Sequence, residues 1–267
     1  MSQKPDGSRR VVLAYLSIGE AENYRYYWQD SWIQNPPSWL KHENANWCGN
    51  HIVQFWHPEW KSIIYAAPNG RESYLDKIIE AGFDGVYLDR IDVYSEFEDV
   101  NAQARQEMIG FVKSLSTAAK EKSNQRGNST FFVVAQNAEE LLTSDTYRAH
   151  IDALAKEDLL YGARENGKPN TEEEVKTSTR LIAKLLDDKK PVFGVEYLKS
   201  EPEMQGARSR LSELGLIPLI APRALDQPDV YDPTSKRTED ESAEDEATPE
   251  AETSPQRRNT ANTCPSK

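Results

Sequence analysis

Asp89 and Asp92 close the run GFDGVYLDRID (82–92), with Arg90 between them. A carboxylate after an apolar strand has been brought to the rim of a sheet rather than sunk in it. Proton transfer, nucleophilic attack and cation binding are the chemistries open to such a group. Other apolar runs end in the same manner. Glu20 follows VVLAYLSIG, Trp56 and His57 follow IVQF, and Asn137 follows FFVVAQ. Glu157 and Asp158 follow IDALAK, Glu196 and Tyr197 follow PVFGV, and Arg223 follows LIPLIAP. Two carboxylates facing across a cleft, one kept protonated by apolar surroundings, can split a glycosidic bond, and Tyr and Trp rings offer flat faces to sugars. Plainer roles are expected for several neighbours. Asp84 fits the cap of a turn with Gly82 and Gly85, Asp92 can cap the segment after it, and His57 reads as a loop histidine. Tyr24, Tyr26, Tyr27 and Trp28 read as packing, and Glu20 and Glu196 are suited equally to binding a substrate and to holding loops.

These side chains need a scaffold that gathers strand ends. The runs at 11–20, 52–56, 85–90, 131–137, 151–161, 191–198 and 216–222 are seven candidate strands. Between them, segments 71–82, 103–122 and 171–190 carry apolar residues at helical spacing, and 201–215 does so more weakly. Strands alternating with helices imply βα units and a parallel sheet whose strands, covered on both faces, read as continuous apolar runs. No Gly-rich phosphate turn follows any strand, which weighs against a doubly wound nucleotide fold. The expectation is an α/β fold, a (β/α)8 TIM-type barrel one strand short, in which active sites lie at the C-terminal strand ends.

The organisation follows from composition. Residues 1–10 are a polar N-terminal segment, 11–226 the barrel domain, and 227–267 an acidic tail with almost no apolar residues, expected to be disordered. The 267 residues carry a net charge of −12, and ten acidic against five basic residues fall in that tail. Such a surface repels nucleic acid and anionic membranes and suits a cationic partner. Cys48 and Cys264 build neither a disulfide framework nor a zinc site, and the four histidines show no metal-binding spacing, so no metal or cofactor is expected. No stretch reaches the roughly 20 apolar residues of a membrane span. The run at 11–16 lacks a small-residue cleavage site, so the sequence shows no export signal.

The segments YLSIGEAENYRYYW (15–28), WCGNHIVQFWHPEWKSIIY (47–65), GFDGVYLDRID (82–92), VVAQN (133–137), ALAKEDLLYG (153–162), VFGVEYL (192–198) and GLIPLIAPRALD (215–226) together resemble glycoside hydrolase family 114. These are the endo-α-1,4-polygalactosaminidase-like TIM barrels. The resemblance implies a catalytic pair of Asp89 and Glu157, with Glu157 favoured as the acid. The resemblance also implies a cationic galactosamine-rich polysaccharide as partner; Tyr15, Glu20, Asp92, Asn137, Glu196 and Tyr197 are expected to bind that substrate, and no cofactor is expected. The resemblance further implies a strand and helix ahead of residue 11 and export from the cell, so the expected address is cytoplasmic for the sequence as written and extracellular if the natural start lies upstream. Two other readings stand beside it: a polysaccharide-binding protein without catalysis, and a metal-assisted hydrolase using Asp89, Asp92 and Glu157 as oxygen ligands.

Overall fold

Six strands share one parallel sheet: β1 (Leu13–Ser17), β5 (Gly85–Asp89), β6 (Phe132–Gln136), β7 (Ala153–Glu157), β8 (Val192–Glu196) and β9 (Ile217–Ile220), hydrogen-bonded in that order. The structure is a computed structural model and describes residues 7, 9–128, 130–221 and 223. The tail expected to be disordered lies outside those residues. Each of the five inner pairings is parallel and in simple register, for example Tyr15 beside Tyr87 and Tyr87 beside Val134. Parallel neighbours need long crossovers. Helices α2 (Tyr74–Glu80), α3 (Ala104–Gln125), α5 (Glu172–Asp187) and α6 (Glu201–Glu213) supply them, at the four segments where the sequence pattern predicts helices.

Local chemistry sets their starts. Ser73 and Asp76 form a reciprocal capping box at α2, and Thr171 and Glu174 form another at α5, each satisfying main-chain N–H groups that the first helical turn leaves unpaired. Two short helices, α1 (Pro58–Ile64) and α4 (Asp145–His150), were not anticipated. Pro58 opens α1 and His57, expected to be a loop residue, is its N-cap, its Nδ1 accepting from the Glu59 N–H at 3.3 Å. Asp84, expected to cap a turn, instead ties down the approach to β1: it accepts from the Val12 N–H at 2.9 Å and pairs with Arg9. Cys264, one of the two cysteines of the sequence, lies outside the described residues.

One expected barrel strand is corrected. The run IVQFW belongs to β4 (Asn50–Val53), which pairs antiparallel with β2 (Glu20–Glu22) and with β3 (Leu40–Glu43) in a separate three-stranded sheet. An apolar run announces a strand but not its partner or its direction. Among the described residues β1 and β9 each pair on one side only, so the parallel sheet is open and no closed barrel is seen.

The two faces of the parallel sheet differ. Leu16, Val86, Leu88, Val133, Ala135 and Leu154 point outward into the main core, against Leu75, Met108, Phe111, Leu115, Ile182 and Leu211 of the helices. The other face carries a small cluster of Val134, Ala153, Ala155 and Val195, flanked by Leu13, Tyr87, Phe193 and Tyr197. At its margins Tyr15, Ile217 and Leu219 are 40%, 44% and 36% exposed. That partly open face, called the cleft face below, is where the strand-end side chains collect.

Candidate active site

Alternation along the strands decides which residues reach the cleft face. Ser17 is the register partner of Asp89, Gln136 of Ala155, and Glu157 of Val195. Tyr15, Tyr87, Asp89, Gln136 and Glu157 therefore share one side. Strand β6 lies between β5 and β7, so the strands bearing the two carboxylates run about 10 Å apart.

Asp89 ends β5 half-buried. Its Oδ2 accepts from the Tyr15 hydroxyl at 2.5 Å and its Oδ1 from the Arg90 main-chain N–H at 2.7 Å. Burial raises its pKa to about 6; the hydrogen bonds from Tyr15 and Arg90 oppose the rise, and the Glu157 charge adds to it. Burial and the Asp89 charge push the Tyr15 phenol far above its usual range, which keeps it a donor. Glu157, ending β7, accepts from Tyr197 Oη at 2.6 Å on Oε1, and from Gln136 Nε2 at 2.7 Å and Asn137 Nδ2 at 3.4 Å on Oε2. Asn137 Oδ1 accepts in turn from the Glu157 N–H at 2.9 Å. Arg223 caps this end, paired with Asp158 at 2.7 Å and lying 4.4 Å from the centre of the Tyr197 ring.

Backbone conformation is unusual where the strands stop. Arg90, Asn137, Ala138 and Asp158 have φ of 59°, 51°, 55° and 52°. This left-handed region is costly for residues with a Cβ, of order 1–3 kcal/mol each, and concentrates at functional sites. The turn after β5 is also tightly enclosed: a Cβ on Gly19 would stand 2.2 Å from the Arg90 carbonyl oxygen and 2.6 Å from Val93 Cγ1. The small antiparallel sheet and α1 clamp that point, through the Val53 N–H to the Gly19 carbonyl at 3.1 Å and the Trp60 indole N–H to the Ile18 carbonyl at 2.9 Å.

Of the expected site residues, Asp89, Glu157, Tyr15, Asn137 and Tyr197 come together. Glu20, Asp92 and Glu196 are not brought into that cluster. Glu20 is buried, and its oxygens accept from Arg90 Nε at 2.6 Å, Asn44 Nδ2 at 2.7 Å and Asn50 Nδ2 at 2.9 Å. Glu196 is fully buried on the helix side of β8, accepting from the Leu160 and Tyr161 N–H groups at 2.7 and 3.2 Å. Asp92 is exposed and faces Arg90 Nη1 at 3.3 Å. The three oxygen ligands of the metal-assisted reading are therefore not gathered. Sequence reasoning missed Gln136, which reaches Glu157, and Tyr87, whose phenol is pushed up by burial and by the charges of both Glu157 and Asp89. Tyr87 lies two residues before Asp89 and so on its face of the strand, whereas nothing in the run FFVVAQN marks the face of Gln136.

A parallel α/β sheet that carries two carboxylates on one face, at the ends of strands separated by a single strand, is the kind of scaffold on which many glycosidases are built. This chain belongs to glycoside-hydrolase family GH114, whose sequence profile matches residues 3–236. It is 37% identical over 236 residues to the uncharacterized protein MJ1477 of Methanocaldococcus jannaschii, covering 82% of this chain and 63% of that one. It is 37% identical over 219 residues to an uncharacterized protein of Deinococcus radiodurans, covering 82% of this chain and 66% of the relative. The chain thus spans just under two thirds of the length of these relatives. Its fold is similar to the glycoside hydrolase domain of PelA from Pseudomonas aeruginosa, with a TM-score of 0.58 at 18% identity, covering 80% of this chain and 79% of that domain.

Proposed function

We propose that the protein is a glycoside hydrolase that cuts internal α-1,4 bonds of a galactosamine-rich polysaccharide, with Asp89 and Glu157 as the reacting carboxylates. One observation carries the reading: two strand-end carboxylates share one face of the parallel sheet, each oriented by a tyrosine, and the charge of Glu157 acts on Asp89. The choice of polymer rests on the family resemblance, and the ammonium groups of such a polymer suit a face bearing Asp89 and Glu157.

The hydrogen-bond partners suggest how the work is divided. Asp89 Oδ1 faces a main-chain N–H, which can only donate, so that oxygen serves as an acceptor. Glu157 faces the Tyr197 hydroxyl on one oxygen and the Gln136 amide on the other, each able to present a donor or an acceptor, while Asn137 is held as a donor because its Oδ1 takes the Glu157 N–H. Glu157 can therefore hold a proton and pass it to the departing sugar oxygen. Asp89 acts ionised, attacking the sugar or drawing a proton from water. Tyr15 and Tyr197 set the orientation of the two groups.

Reducing-end release from partly deacetylated galactosamine polymer tests the reading. The expected result is release by the wild-type chain that disappears in both Asp89→Asn and Glu157→Gln. Binding of polymer without release, unaltered in rate by either substitution, would turn the reading to a polysaccharide-binding protein.

A further inference from the structure

We infer that Glu20 and Glu196 are positioning residues, a matched pair of buried carboxylates that fix the turns carrying the two reacting acids. The inference rests on the proposed roles of Asp89 and Glu157. Each acid ends a strand and is followed by a left-handed residue, Arg90 after Asp89 and Asp158 after Glu157. Each of those turns is held by a glutamate at or just beyond the end of the strand on the side away from β6. Glu20 opens β2 where the chain leaves β1, the neighbour of β5, and Glu196 ends β8, the neighbour of β7.

The holding is specific at both ends. Glu20, 1% exposed, grips Arg90 Nε, while Glu96 takes Nη2 at 2.7 Å and Asp92 takes Nη1. With its side chain fixed, Arg90 keeps its main-chain N–H on Asp89 Oδ1. Glu196, with no exposed surface, spends both oxygens on consecutive N–H groups of the loop after Glu157. Asn170 braces the same loop from the other side, donating to the Asp158 and Leu159 carbonyls at 2.8 and 2.9 Å. Neither glutamate touches the cleft face, and neither is needed to fill a core that an apolar side chain could fill. A buried carboxylate is a costly way to occupy space unless its acceptors hold something in place.

Glutamine is a stringent probe because its amide offers one acceptor oxygen where the turn presents donors on both sides. In Glu196→Gln an NH2 meets the Leu160 or Tyr161 N–H; in Glu20→Gln it meets Asn50 or Arg90. A misplaced reacting group loses rate rather than affinity, by up to roughly a hundredfold for a shift of about 1 Å. The experiment compares kcat, KM and amide hydrogen exchange in wild type, Glu20→Gln, Glu196→Gln and the control Asp76→Asn, which breaks the α2 capping box and the Lys122 ion pair. Expected are a tenfold or greater fall in kcat for both glutamine variants and KM within about threefold of wild type. Exchange should quicken at least tenfold at Arg90 in the first and at Leu160 and Tyr161 in the second, with none of these changes in the control. If a glutamine variant does not fold, Arg90→Lys and Asn170→Ser loosen the same two turns and replace it. The inference is overturned if exchange at those amides is unchanged, if KM alone moves, or if kcat falls no further than in the control. A wild-type chain that cleaves nothing would overturn the proposed function and the catalytic half of this inference, and exchange would still decide whether the glutamates hold the turns.

Discussion

The Asp89 end and the Glu157 end of the cleft are built alike in backbone and differently in side chains. Both are strand termini followed by a left-handed residue, and both carboxylates receive a tyrosine hydroxyl. At Asp89 the remaining partner is a main-chain N–H; at Glu157 the remaining partners are the amides of Gln136 and Asn137. The difference teaches that chemical role can be set by whether a partner is free to reverse its hydrogen bond. The Arg90 N–H fixes one oxygen of Asp89 as an acceptor, whereas each oxygen of Glu157 has a partner, Tyr197 or Gln136, that can reverse its bond.

The largest expected effect breaks the comparison outright. Asp89→Asn and Glu157→Gln should each lower polymer cleavage by about a thousandfold or more, within the range general acid–base groups contribute. On an oligomer bearing an aryl leaving group that needs no proton, Glu157→Gln should recover most of its rate and Asp89→Asn should not. Recovery in Asp89→Asn instead would exchange the two roles. Next in size, Tyr15→Phe and Tyr197→Phe should each lower kcat by roughly tenfold to a hundredfold, because each leaves one carboxylate oxygen without its orienting donor. Only Tyr15→Phe should also move the acidic limb of the pH profile upward, since the Tyr15 hydrogen bond holds the Asp89 pKa down.

The wild-type profile sharpens the same contrast. With Asp89 required in ionised form, kcat/KM should rise with pH through about pH 6 and fall about tenfold for each pH step below it. A profile that instead falls through pH 6 would make Asp89 the proton donor. The smallest effect concerns stability. The folded protein binds the Asp89 proton more tightly than the unfolded chain, whose carboxyl keeps the ordinary value near 3.8, so this group's contribution declines as pH rises from about 4 to about 6. Asp89→Asn removes that cost while its amide can still meet Arg90 and Tyr15. Thermal unfolding at neutral pH should therefore show a gain on the order of 2 kcal/mol that disappears below about pH 4.

The sequence disclosed the strand ends more readily than the faces. Asp89 and Glu157 stood out because charge after an apolar run has few explanations, and all four principal crossover helices were legible from their apolar spacing. Glu196 was misplaced by a single position: Val195 and Tyr197 belong to the cluster on the cleft face, and Glu196 between them points to the helices. In a strand covered on both sides, as VFGVE is, apolar residues occupy both faces and the pattern carries no sign of which is which. The same symmetry hid Gln136. IVQFW misled for a different reason, since its antiparallel partners, Glu20–Glu22 and Leu40–Glu43, are too short and too polar to announce themselves as strands.

Gly19 carries a consequence for how the protein can change over time. Any side chain there would collide with the main chain of Arg90, so the peptide before Glu20 and the peptide after Asp89 are interlocked atom against atom. Loops elsewhere around the rim can lengthen or drift one substitution at a time. Here a neutral path is closed to single steps: altering either turn demands a matching change in the other, and lineages that diversify this scaffold should do so from the β7, β8 and β9 side of the cleft while this junction stays as it is.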